Sequence, residues 1–188
     1  MTPSTHLPDR SEVALEETWA LESIFATPAE WEAACQTLQD LLPELSAYQG
    51  HLGDGPQVLL AAIEKLEEVG TLLGKLTTYA SNAAAVNTFD QAANARAGQA
   101  RSLSAQAGAA MAFFDPELMA IGFDTLRAWL KETPELAFFA HYVDRLEKRS
   151  PHVRSGEVEQ VLALVGDAFS GAFASFNMLT NVALQFQP

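Results

Sequence analysis

The chain of 188 residues is 48% hydrophobic and 19% charged, a globular rather than disordered balance, with enough length for one sizeable core. Eleven Lys and Arg stand against 24 Asp and Glu, a formal net charge of −13. That shortage of cations argues against nucleic acid and against an anionic membrane surface as partners, and leaves cationic ligands open.

Helix starts are the strongest local signals. Thr27-Pro28-Ala29-Glu30 is a capping box with Pro at the first helical position. Gly55-Pro56 starts a second helix, and Thr88-Phe89-Asp90-Gln91 offers another box. Asp115-Pro116-Glu117 and Thr133-Pro134-Glu135 each place a capping side chain before Pro and an acid in the first turn. Ser155-Gly156-Glu157 completes the set. Between these starts the apolar residues step by three, four or seven, as in Leu59, Ile63, Leu66, Leu73, Leu76 and Ala80. No period-two stretch calls for a strand.

The spacing therefore predicts an all-α fold, an elongated multi-helix bundle or helical-hairpin domain. Its six helices fall near 28–48, 56–86, 88–113, 116–131, 134–149 and 155–184. Three of them are long, on the order of 40 Å. The third is rich in Ala and Gly, which lets neighbouring helices approach closely. Residues 1–26 are expected to pack as an N-terminal segment on a single helical domain, 27–188. The N-terminus shows no leader pattern, and no run has the apolar density of a membrane span, so a cytoplasmic protein is expected.

Candidate chemistry is sparse. Cys35 lies in an Ala-rich helical pattern and reads as a buried free thiol. His6, His51, His141 and His152 form no HExxH pair, and there is no phosphate-binding glycine loop or GxSxG element. Glu64, Glu67 and Glu68 read as a solvated helix face. The pairs Phe113-Phe114 and Phe138-Phe139 read as core. The residues themselves predict no catalytic, cofactor or metal site within the chain.

One stretch is unusual. Arg145, Lys148, Arg149 and Arg154, with His152, fall within ten positions of an acidic chain. Cations in the last turn of one helix, and Glu157 and Glu159 in the first turn of the next, are what two helix ends favour. His152 is left over, as an anchor of the junction toward Glu157 or a backbone carbonyl.

The same stretch, through Arg149, His152, Ser155, Glu157, Glu159, Leu162 and Ala163, resembles the N-terminal domain of the oligoendopeptidase F family. Arg154 stands where that family has Leu. Other segments fit in the same order: Thr18-Trp19-Ala20-Leu21-Glu22-Ser23-Ile24-Phe25, then Trp31-Glu32, Thr78-Tyr79-Ala80 with Asn87, Phe114-Asp115-Pro116-Glu117-Leu118, and Asn181-Val182-Ala183-Leu184-Gln185-Phe186. The resemblance implies a cytoplasmic zinc metallopeptidase of the thimet-oligopeptidase clan. In such enzymes the two His of HExxH and a downstream Glu hold zinc, and the HExxH Glu activates water. That apparatus is absent from these 188 residues, so zinc is implied only for a catalytic domain elsewhere.

What the resemblance implies here is a non-catalytic helical wall of a channel for short peptides. The catalytic domain and oligopeptide substrates are the implied partners. His152, Arg149 and Glu159 are the candidates at the channel or junction. The apolar helix near the end, with Phe169, Phe173, Phe176, Leu179 and Val182, predicts self-association. A free-standing acidic helical adaptor is the alternative.

Overall fold

In a computed structural model the described residues are 10–87, 89–152, 171, 175, 176, 179 and 180. Thr27 fulfils its capping role: its Oγ1 accepts the Glu30 N–H at 3.2 Å, and Glu30 Oε2 reaches back to the Ala26 N–H at 2.9 Å. Helix α1 runs Pro28–Ser46 and buries Trp31, Cys35, Leu38, Leu41, Leu42 and Leu45 on one stripe. Pro43 lies inside it, one turn from the end, where the missing N–H removes a single helical bond.

Helix α2, Pro56–Val86, follows Gly55, whose φ of 143° is open to glycine alone. At 31 residues it spans about 45 Å. Helix α3, Gln91–Met111, starts three residues later than expected. The acting cap is Asp90, whose Oδ1 accepts the N–H groups of Ala92 and Ala93 at 2.9 and 3.0 Å. Asn87 Oδ1 accepts the Phe89 N–H at 3.0 Å and closes the preceding turn.

The expected helix 116–131 is two helices, α4 (Phe114–Ile121) and α5 (Phe123–Glu132). Gly122 separates them at φ 88°, ψ 139°, ending one and starting the other. The expected span 134–149 is likewise divided. Pro134–Phe139 forms 3-10 turns before α6, Ala140–Arg149. Thr133 caps nothing with its side chain and is buried.

The all-α class stands: among the described residues there is no strand. Most of the expected helix 155–184, and the self-association assigned to it, lie outside the described residues.

The chain divides into two units, Trp19–Ser150 and Met1–Thr18 with Pro151–Pro188. The larger unit holds two cores. The first joins α1, α3 and the later half of α2 around Trp31, Leu38, Leu45, Leu76 and Leu103. Ala93, Ala97, Ala100 and Ala107 are the small buried contacts of α3, which let α2 and α3 approach closely. Leu21, Ile24 and Phe25 pack on this core. The second joins the early half of α2 to α4, α5 and α6 around Leu59, Ile63, Leu118, Leu126 and Leu136. Leu66 touches both, so α2 is the beam that links them. In the smaller unit, Arg10–Glu12 and Leu15–Glu17 are single 3-10 turns. Phe176 and Leu179 are exposed there.

Candidate functional site

The polar groups gather where α4 meets α6. The segment Phe114-Asp115-Pro116-Glu117-Leu118 opens α4 and splits its side chains by chemistry. Phe114 and Leu118 enter the second core. Asp115, expected as a cap, instead accepts the Tyr142 hydroxyl on Oδ1 and pairs through Oδ2 with the Arg149 guanidinium. Glu117 faces the α1–α2 connection, where Oε1 accepts the Gly50 N–H at 2.6 Å and Oε2 the Leu52 N–H at 3.4 Å.

Tyr142 stacks on Phe139, ring centroids 4.6 Å apart at 18°. Burial first, then donation to Asp115, pushes its phenol up to about 12. It is therefore a fixed donor at neutral pH, not a base. Glu147 of α6 pairs with Arg127 of α5, and Asp124 stands 3.8 Å from the same guanidinium. The hydrogen bond to Glu147 is the main cause holding Arg127 above its ordinary range. These pairs tie three short helices together.

Of the three residues expected at the junction, Arg149 belongs to this cluster. His152 is exposed at the end of the 3-10 turn Ser150–His152. Glu159 and Glu157 lie outside the described residues. Lys148 and Arg149 sit in the last turn of α6, as the helix-end argument requires. Sequence reasoning missed Tyr142 and the role of Asp115. The signal was there in the seven-residue step from Tyr142 to Arg149, which places both on one face of α6.

The other residues singled out divide between the core and the solvent-facing surface. Cys35 is free and buried, and burial followed by the Glu32 charge pushes its thiol up to about 11. Phe114 and Phe139 are core, whereas Phe138 is 56% exposed. Glu64, Glu67 and Glu68 are solvated along an open groove of about 500 Å³ between α1 and α2. Lys65 bridges Glu44 at 2.9 Å and Glu68 at 2.7 Å beside it.

Three of the segments that carry the resemblance, through Phe25, Trp31 and Tyr79, meet at the first core. Phe25 stands edge-on to Tyr79, centroids 5.5 Å apart, and the buried Trp31 Nε1–H donates to the Leu76 carbonyl at 3.0 Å. Among the described residues, no group of three or more His, Cys, Asp and Glu is arranged to hold a metal ion. A zinc set does not fit the residues described here. No described helix is long and apolar enough to cross a membrane.

Fold and site together define a helical scaffold domain, held by two cores and cross-helix ion pairs. A family model described as Oligopeptidase F matches residues 117–186. Oligopeptidase PepF of Bacillus subtilis (strain 168) is 36% identical over 186 residues, 97% of this chain and 27% of that protein. The oligoendopeptidase F homolog of Lactococcus lactis subsp. lactis (strain IL1403) is 29% identical, over 94% of this chain and 30% of its own length. The crystal structure of oligoendopeptidase-F from Enterococcus faecium superposes with a TM-score of 0.73 at 27% identity, over 86% of this chain and 32% of that one. The chain belongs to the oligoendopeptidase F family, as its N-terminal domain. It spans less than a third of the length of these relatives.

Proposed function

We propose that these residues form the non-catalytic N-terminal helical domain of a zinc-dependent oligoendopeptidase, one wall of a channel that admits short peptides. One observation carries the reading: an alignment to a relative called an oligopeptidase runs along 97% of this chain yet occupies only 27% of that relative. A helical unit with two cores and no metal-holding cluster among its described residues suits a wall better than a reaction centre. The zinc and the water-activating acid then belong to a catalytic domain joined to this one. The whole enzyme would act on short peptides in the cytoplasm.

A fusion tests this. The chain replaces the corresponding first part of the Bacillus subtilis relative, and hydrolysis of a quenched fluorescent peptide is followed with chelator and with added zinc. The expected result is no turnover by the 188 residues alone, and turnover by the fusion that chelator removes and zinc restores. Zinc-dependent turnover by the pure 188-residue chain would overturn the reading. So would a fusion no more active than the relative's remainder by itself.

A further inference from the structure

The acidity of this chain is unevenly spread. Residues 69–111, the later half of α2 with all of α3, carry Lys75, Arg96 and Arg101 against a single acid, the α3 cap Asp90. This hairpin is cationic within a chain of formal net charge −13. Lys65, Arg127 and Arg149 have carboxylate partners on neighbouring helices. Among the described residues no carboxylate pairs with Arg101.

Arg101 lines a small groove of about 180 Å³ between α2 and α3. Thr77, Thr78 and Ser81 of α2 face Ala97, Arg101 and Ser104 of α3 across it. The guanidinium lies over Gly98, where a Cβ would stand in ordinary contact 3.8 Å from Nη2. The hydroxyls of Thr77, Ser81 and Ser104 donate to the carbonyls of Leu73, Thr78 and Ala100, each within its own helix. Carbonyls inside a helix already accept a backbone N–H, so these hydroxyls can turn outward without orphaning an acceptor.

We propose that this groove binds a carboxylate at the end of a short peptide, with Arg101 as the charged contact and the hydroxyls as supporting donors. One guanidinium offers two parallel N–H groups, the match for a carboxylate monoanion. A phosphate dianion would call for a second cation in the groove. The volume suits a terminal residue rather than a length of chain. The proposal rests on the peptide-channel reading above and adds to it a contact that selects peptides by their C-terminal end. A solvent-facing charge pair is weak, so the dissociation constant is expected on the order of millimolar.

The test titrates tetra-alanine, as free acid and as C-terminal amide, into the ¹⁵N-labelled 188-residue chain followed by NMR. The free acid is expected to shift the Arg101 side-chain N–H and the Ala97 and Ser104 amides saturably, with the amide form about tenfold weaker. Arg101→Gln should abolish the difference and Arg101→Lys restore part of it. Equal shifts from acid and amide would overturn the proposal. Acetate reproducing the same shifts at the same concentration would overturn the peptide assignment, reducing the groove to a general anion site. The acid–amide comparison uses the unaltered chain and needs no variant to fold. Because no turnover is read, failure here leaves the fusion result standing, and failure of the fusion leaves this binding result standing.

Discussion

Glu117→Ala separates a structural from a catalytic reading of the segment that opens α4. The carboxylate holds the Gly50 N–H at 2.6 Å and the Leu52 N–H at 3.4 Å, clamping the connection that leads from α1 into α2. A hydrogen bond to a charged acceptor contributes about 1.5–3 kcal/mol. Gly50 is exposed, so water replaces that bond in the variant, and the bond to Leu52 is long and weak. The low end applies, and Glu117→Ala should cost about 1.5 kcal/mol. For a chain of this size that is a fall of about 3–6 °C in Tm.

Glu117→Gln keeps an acceptor oxygen without the charge and should lose about half as much. The assay is urea unfolding followed by tryptophan fluorescence, with the fully buried Trp31 as reporter, checked by thermal circular dichroism. In the fusion enzyme kcat should be unchanged at a temperature where the variant is folded. Glu117→Ala within about 0.3 kcal/mol of the parent would refute the clamp, and so would Gln being as damaging as Ala.

Three further outcomes follow from the same structure. Native Cys35 should resist a thiol reagent at pH 8 and react fully in denaturant, since it is 2% exposed and its thiol is raised to about 11; prompt labelling of native protein contradicts that placement. Gly122→Ala should cost about 2 kcal/mol from backbone strain alone, because a Cβ there meets nothing within 4 Å; an unchanged urea midpoint would show that the α4–α5 break does not need φ 88°. Tyr142 is neutral when protonated and its folded value lies above the unfolded 10, so its contribution is complete below pH 10 and lost as pH rises through about 12. Tyr142→Phe should flatten that part of the stability–pH curve, and an unaltered curve would remove Tyr142 from the linkage.

The sequence spoke clearly wherever a helix end is set by neighbours in the chain. Thr27 with Glu30, and Gly55 with Pro56, fix the starts of α1 and α2 by bonds spanning at most four residues. It spoke less clearly where a side chain is recruited from a distance. Asp115 carries every local mark of a cap, yet Tyr142 and Arg149, 27 and 34 residues away, take both of its oxygens. Gly122 falls inside the expected helix 116–131, and its backbone angles show that it ends one helix and begins another.

Periodicity also treated α2 as one apolar stripe. It gave no sign that the stripe serves two cores, because that division depends on which helices arrive at each end.

Three cations of this acid-rich chain join helices. Lys65 links α1 to α2, Arg127 links α5 to α6 and Arg149 links α6 to α4. Each spans two helices, so neutralising one removes a tie and registers in stability, modestly where the pair is exposed. Arg101 makes no such tie among the described residues, and its hairpin is already held by buried alanines and Leu103. Neutralising Arg101 should therefore leave the urea midpoint where it is and change only what the groove binds. A midpoint that fell with Arg101→Gln as it does with Arg127→Gln would class Arg101 among the ties and leave the groove without a purpose-made contact.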